Sequence, residues 1–355
     1  MSTNKPEQTQ VPFLDLSRRW RPLQSELEIA LKSITESGSI LLGPHLEAFE
    51  EVFAQFTGYK FCVGVASGTE ALRISLAVLN IGPGDEVIVP AMTAVPTAAA
   101  VCAVGATPVF ADIERDTAAL DPNAAAAAVT ERTKAVIPVH RYGRPAPLPK
   151  LGLPIIEDAA QAHGALTNMD ESVATAYSFY PTKNLGGLGD GGAIVTDDPD
   201  IADRLRSLRV HGLRKSYVHE FIATNARMSE FEAAALSIGL QHLDAGNARR
   251  REIAHRYRAA APDLQWQADH ERHVFHLCVT RISNRDEFCA SVPFGTAIQY
   301  PLALTQQPAY RRFVQNPCPN AEAWAASCVS LPCYPEMTDD EVDIVAGTLQ
   351  GVHAV

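Results

Sequence analysis

Lys183 lies in Ser178-Phe179-Tyr180-Pro181-Thr182-Lys183-Asn184-Leu185-Gly186, just past an apolar run and in a loop bounded by Pro181 and Gly186. A lysine whose surroundings lower its pKa becomes a nucleophile and forms a Schiff base with a carbonyl. Ser178, a few residues earlier, is within reach of an anion held nearby. An isolated lysine is usually a solvated surface charge, so the chemistry depends on what accompanies it.

Two further segments supply company. Ile155-Ile156-Glu157-Asp158-Ala159-Ala160-Gln161-Ala162-His163-Gly164 ends a buried strand with two acids. Ligands of open α/β sheets gather at the carboxyl ends of strands. A carboxylate there pairs with a cationic ring nitrogen and keeps it protonated. On this motif alone, an N-cap role for Asp158 has comparable weight. Val65-Ala66-Ser67-Gly68-Thr69-Glu70-Ala71-Leu72 runs from a strand through a small-residue turn into a helix. The first helical amides lack intrahelical partners and the dipole is positive there, so a phosphate can sit on them. Gly68 permits close approach and Thr69 adds a hydroxyl. Taken alone, Ser67 or Thr69 as a simple cap is the better reading. Together the turn, the strand-end aspartate and the loop lysine are the three anchors pyridoxal phosphate needs, for its phosphate, ring nitrogen and aldehyde.

Two other motifs carry less. Gly187-Leu188-Gly189-Asp190-Gly191-Gly192 matches G-x-G-x-x-G, but a strand follows it where the dinucleotide fingerprint requires a helix. His270, His273 and His276 lack the H-E-x-x-H pattern and any cysteine at zinc spacing, so packing or solvent exposure is expected and no metal.

The elements that must position these residues follow from periodicity. Pro22 to Ser37 reads as an amphipathic helix with Leu23, Leu27, Ala30, Leu31 and Ile34 on one face. Pro44 opens a second helix and Gly58 closes it. Apolar runs at Phe61–Val65, Glu86–Val89, Thr107–Ala111, Ala135–Val139, Ile155–Glu157, Ala174–Phe179 and Ala193–Val195 predict strands. Helical patterns separate several of them, which means βαβ units, an α/β class and a mainly parallel sheet. A helix is expected over Asp200–Arg209, and mixed signals after about residue 245 predict a smaller second unit. The expected division is 1–244 for a large cofactor-binding domain with an N-terminal helical arm, and 245–355 for a small C-terminal domain.

Composition narrows the class. The 355 residues are 46% apolar and 20% charged, an ordinary globular balance. Lys plus Arg total 30 against 41 Asp plus Glu, a net charge of −11 that argues against a nucleic-acid partner. Residues 1–10 are polar and lack the apolar core of a signal peptide. The stretch Val87 to Ala111 is interrupted by Pro90, Thr93, Pro96, Gly105 and Pro108, so no membrane span is expected. The 7 cysteines include no C-x-x-C pair, which suits reduced thiols in a cytoplasmic protein.

The ordered blocks make a resemblance specific. LDLSRRW from Leu14, ILLGPHLEAFE, SGTEAL, GPGDEVIVPAMT, PVFADI, EDAAQAHGA, SFYPTKNLGGLGDGG and LPCYPEMTDDEV resemble the DegT/DnrJ/EryC1/StrS sugar aminotransferase family nearly end to end. The resemblance implies an aspartate-aminotransferase-like, fold-type-I large domain and pyridoxal phosphate as cofactor. It implies that Lys183 holds the cofactor covalently and shuttles the proton, and that Asp158 pairs with the ring nitrogen. Gln161 would sit near the ring hydroxyl, and Ser67, Gly68, Thr69 and Ser178 would hold the phosphate. Asn225 resembles the asparagine that reaches the phosphate from the neighbouring subunit, implying a homodimer with shared active sites. Tyr180 and Tyr217 resemble substrate-facing tyrosines.

The implied reaction moves an amino group from an amino acid, L-glutamate, to a nucleotide-linked keto-sugar, at C-3 of a 3-keto-6-deoxy sugar. Alternatives are a C-4 keto-sugar, a cyclitol, or a catalytically inactive cofactor-binding sensor or scaffold. Lys183 speaks against the dehydratases of the family, which carry histidine there. The chain departs from the family pattern at Ala94, where a ring-stacking aromatic is usual, and at Ala223, Arg144 and Thr305, where glycine, glutamine and histidine are usual.

Overall fold

Three helices precede the sheet: α1 (Leu16–Trp20), α2 (Gln24–Ser37) and α3 (Pro44–Thr57). The computed structural model describes residues 11–165 and 171–352; the polar segment 1–10, read above as no signal peptide, lies outside the described residues. Pro44 occupies the first turn of α3, and Gly58 closes it with φ 80° in the left-handed region that glycine adopts without strain. On α2 the expected apolar face is only partly covered. Leu23 and Ile34 are buried, whereas Leu31 is 50% exposed. The contact of α2 with the helix Glu230–Leu240 covers a stripe narrower than the pattern predicts.

The strands and helices then alternate: β1 (Phe61–Val65), α4 (Gly68–Val78), β2 (Glu86–Pro90), α5 (Val95–Ala103), β3 (Thr107–Ala111), α6 (Pro122–Ala127), β4 (Thr133–Val136), β5 (Ile156–Asp158), β6 (Ala174–Ser178), β7 (Gly192–Thr196) and α7 (Pro199–Leu208). One sheet runs β1-β7-β6-β5 and another β3-β2-β4. Parallel bridges Val136↔Ile155 and Val139↔Asp158 join them into the continuous order β3-β2-β4-β5-β6-β7-β1. The pairs β2–β3, β2–β4 and β5–β6 are parallel, and β7 runs antiparallel to both neighbours. Helices cover the sheet, so β2 and β7 are buried along their whole length. The strand expected at Ala135–Val139 begins and ends earlier, at Thr133–Val136. Pro138 has no N–H to continue a ladder, so pairing resumes only as the single bridge at Val139.

The rest of the chain forms β8 (Leu213–Lys215), β9 (Val218–His219), α8 (Glu230–Leu240), α9 (Leu243–Ala260), β10 (Gln265–Trp266), β11 (Cys278–Arg281), α10 (Arg285–Ser291), α11 (Pro319–Ser327), β12 (Cys328–Leu331) and α12 (Asp339–Leu349). The antiparallel sheet β10-β11-β12 packs with α9 and α12 around Ile253, Tyr257, Phe275, Val329 and Val342. Trp324 and Cys328 join the core of the larger sheet instead.

Candidate active site

The end of β5 carries two carboxylates, and the period of two in a strand sends them to opposite faces. Glu157 is fully engaged on one face. It meets His140 Nε2 at 2.8 Å and accepts the Thr175 hydroxyl at 3.1 Å. His140 Nδ1 accepts the Ala146 N–H at 3.0 Å, so the ring proton sits on Nε2 and is donated to Glu157. Asp158, 5% exposed, accepts the Thr97 hydroxyl at 2.8 Å and the Ala160 N–H at 3.1 Å. The capping role weighed for Asp158 is thus met by one bond from Ala160. Thr97, in the first turn of α5, holds its other oxygen.

Lys183 is held through its backbone. Its N–H donates to the Tyr180 carbonyl at 2.8 Å. Arg19 Nη1 donates to the carbonyls of Pro181 at 2.9 Å and Lys183 at 3.0 Å, stapling the loop to α1. Gly186 is required here, because a Cβ would lie 2.3 Å from the Pro181 oxygen. Burial pulls the Lys183 amine down to about 8; the Asp158 charge opposes that shift and the Arg141 charge adds to it. His163 is buried against Tyr177 and Phe179, and both ring nitrogens lack partners. Burial first, and then the Lys183 charge, pull it down to about 3.

The turn from β1 into α4 forms a cradle. Ser67 Oγ accepts the Glu70 N–H at 3.2 Å, so Ser67 does cap the helix. The amides of Gly68 and Thr69 lie in the first turn, where intrahelical acceptors are lacking. Ser178, at the end of β6, packs directly on them: a Cβ on Gly68 would meet the Ser178 Cβ at 2.5 Å. A Cβ on Gly192 would meet the Ser67 carbonyl carbon at 2.4 Å, so both glycines are needed for this approach.

Gln161, Tyr180, Thr182 and Lys183 line one cavity of about 510 Å³. Gln161 is oriented by accepting the Tyr142 N–H at 2.7 Å, which leaves its NH₂ free to donate. The same cavity is also lined by Arg250, His276, Gln299, Tyr300 and Tyr334, none of which the sequence placed at a site. His276 was the nearest to legible, in the histidine cluster read as packing or solvent exposure. Its Nδ1 lies 3.2 Å from Asn184 Oδ1. That oxygen accepts, because the Asn184 amide nitrogen donates to Asn247 and to the Val274 carbonyl. His273 does pack, stacked on Phe275 at 3.7 Å. Among the described residues no group of three His, Cys, Asp or Glu is placed to hold a metal, and no helix is long and apolar enough to cross a membrane.

Among the described residues, the expected site residues that line this cavity are Gln161, Tyr180 and Lys183; Asp158, Ser67, Gly68, Thr69, Ser178, Tyr217 and Asn225 are not part of its lining. Tyr217, at the β8–β9 turn, is 93% exposed. Asn225 is exposed, and its Oδ1 accepts Arg227 Nε at 2.8 Å. Ala94 caps α5 without a side-chain bond, and Thr305 donates to Glu322 at 3.3 Å. The glycines of 187–191 wrap Glu232 rather than opening a helix: the Gly189 N–H donates to it at 3.0 Å.

The model of the DegT/DnrJ/EryC1/StrS aminotransferase family matches residues 23–350. The chain is 42% identical over 357 residues to a dTDP-3-amino-3,4,6-trideoxy-alpha-D-glucose transaminase of Streptomyces venezuelae, covering 94% of each. It superposes on the crystal structure of DesV from S. venezuelae in complex with a ketimine intermediate, with TM-score 0.91 and 40% identity, over 96% of this chain and 99% of that one. It also superposes on NtdA from Bacillus subtilis with bound cofactor PMP, with TM-score 0.89 and 28% identity, over 98% of this chain and 86% of that one. With a lysine, a carboxylate and a helix-end cradle arranged on the fold of these proteins, the chain belongs to the DegT/DnrJ/EryC1/StrS aminotransferase family and is a transaminase dependent on pyridoxal phosphate.

Proposed function

We propose that the protein transfers the amino group of an amino acid, L-glutamate, to the C-3 keto carbon of a nucleotide-linked 6-deoxy sugar. The carbon and the nucleotide linkage follow the name of the Streptomyces transaminase it resembles. The observation that carries the reading is a depressed lysine amine that lines a cavity and feels the charge of a clamped aspartate, with a helix-end cradle packed on Ser178, five residues before that lysine.

The residues fit the cofactor. Amides of Gly68 and Thr69, with the hydroxyls of Ser67, Thr69 and Ser178, are read as the phosphate site. Asp158 would hold the proton of the ring nitrogen, and the NH₂ of Gln161 would be the donor for the ring hydroxyl. Bound pyridoxal phosphate supplies an electron-accepting ring that acidifies the substrate Cα–H bond and stores the amino group between half-reactions. Lys183 would anchor the cofactor at rest, and its Nζ, once free, would carry the proton from the substrate Cα to the cofactor carbon that bore the aldehyde. Positioned proton transfer of this kind contributes about 10²–10⁴-fold. Tyr180, at the cavity mouth, is read as a substrate contact.

The enzyme is read as a cytoplasmic homodimer, with all seven cysteines free. Asn225 and Tyr217, exposed and away from their own cavity, would then complete the site of a second copy. The apolar exposure of Leu31, Tyr217, Val218 and Ile222 supports a covered surface there. Residues 1–244 are taken as the large domain and 245–355 as the small one.

The test is spectroscopic. Purified protein loaded with pyridoxal phosphate should show a visible band that L-glutamate removes and a nucleotide-linked 3-keto-sugar restores. Lys183→Ala should bind the cofactor without that band and lose turnover. Wild-type transamination by Lys183→Ala rejects the reading. Restoration by a 4-keto-sugar or a cyclitol ketone alone moves the substrate class, and no response to glutamate favours a sensor.

A further inference from the structure

Arg141 is a buried cation with no counter-charge among the described residues. It is 1% exposed. Its guanidinium carbon lies 4.2 Å from the Tyr142 ring centroid and 4.8 Å from that of Tyr300. Nη2 donates to the Gln299 carbonyl at 2.7 Å and to the Tyr142 hydroxyl at 3.2 Å. The Tyr142 hydroxyl donates to the same carbonyl at 2.7 Å. Among the described residues Nε and Nη1 have no partner. Its ionisable neighbours are Tyr142, Tyr300 and Cys328, none of them a carboxylate. A buried guanidinium without an anion is strongly unfavourable, and so are unbonded N–H groups. The arrangement is therefore complete only when an anion enters.

The place where that anion would lie is the reaction cavity. Gln299 and Tyr300, which hold and cover Arg141, line it together with Lys183. The adjoining Tyr142 N–H orients Gln161 on the same wall. The Arg141 charge reaches both Lys183 and His276. Among the described residues no carboxylate lines the cavity, while Lys183 and Arg250 do. The cofactor's phosphate has its own cradle at Gly68, Thr69 and Ser178.

We propose that Arg141 anchors a substrate carboxylate in this cavity, and that the carboxylate belongs to the amino-acid donor. The donor must bring its α-carbon to Lys183, and its carboxylate is bonded to that carbon. A nucleotide's diphosphate is held away from the keto carbon by the sugar ring. The planar guanidinium, fixed between two rings, suits a carboxylate geometrically. The inference rests on the reading of Lys183 as the reacting lysine.

Succinate, a dicarboxylate with no amino group, probes the site without turnover. Calorimetric titration of the holoenzyme should give a Kd raised by about tenfold or more in Arg141→Leu, and a smaller rise in Arg141→Lys. Arg141→Met serves the same comparison if Arg141→Leu does not fold. In single-turnover experiments the KM for L-glutamate should rise by about tenfold, with the rate at saturation within about threefold of wild type. The half-reaction with the nucleotide keto-sugar should keep its KM. Unchanged succinate Kd and glutamate KM overturn the proposal. A KM effect confined to the nucleotide sugar, including a sugar bearing its own carboxylate, overturns the assignment to the donor. Succinate binding is independent of Lys183 chemistry, so a transaminating Lys183→Ala protein rejects that reading without touching this result.

Discussion

Thr97 donates its hydroxyl to Asp158 across 2.8 Å, from the first turn of α5 to the end of β5. Thr93 Oγ1 lies 3.1 Å from Thr97 Oγ1, so the donor is itself held. Together with the Ala160 N–H, this bond satisfies both oxygens of a buried carboxylate and fixes its direction.

Thr97→Val keeps the shape and removes that donor. The half-reaction with L-glutamate should slow by about tenfold, equivalent to about 1.4 kcal/mol. Asp158→Asn should slow it further, while Glu157→Gln, on the opposite face of the strand, should change it by less than about threefold. Stopped-flow absorbance of the loaded enzyme measures all three; a Glu157→Gln effect as large as that of Asp158→Asn would mean the faces are assigned wrongly.

The Lys183 amine must be neutral to attack the aldehyde of free pyridoxal phosphate. With the amine at about 8, cofactor uptake by the apoprotein should rise with pH through that value rather than through the ordinary lysine range. Removing the Arg141 charge should move the midpoint up. Removing the Asp158 charge should move it down, because that carboxylate favours the protonated amine. Uptake rates from pH 6 to 10 give the midpoints directly.

Arg19 bridges the carbonyls of Pro181 and Lys183 from a helix near the start of the sequence, 164 positions before Lys183. Arg19→Ala should lower unfolding stability by about 1–3 kcal/mol and reduce the fraction of cofactor held by Lys183. Urea unfolding and the visible band of one preparation test both. A stability loss with an unaltered band would restrict Arg19 to folding.

Glu232 is buried under the 187–191 loop with Oε1 unpartnered, and burial raises its carboxyl to about 7. The folded state then binds the proton more tightly than the unfolded chain, with its ordinary value of 4.5. Stability from this group is complete below that ordinary value and is lost as pH rises toward about 7. Glu232→Gln should flatten this dependence and raise Tm relative to wild type at pH 8. Calorimetric scans across pH 4–8 decide it.

Much of the site was legible in the residues. Lys183 and Gly68 each follow a strand and Asp158 ends one, and strand ends and small-residue turns are local signals that survive without knowledge of the rest of the chain. Sheet class followed from the same alternation, and the family from the order of the blocks. Long-range geometry decided the remainder. Which of Glu157 and Asp158 faces the cavity depends on the strand's exact placement, and the reading ended that strand at Glu157. Thr97 is 61 positions from Asp158, and Arg19 is 164 from Lys183. No periodicity links residues so far apart. Arg141, Arg250 and His276 acquired meaning only when folding removed them from water: a guanidinium or imidazole is ordinary when hydrated, and only burial without a counter-charge makes its surroundings chemically consequential.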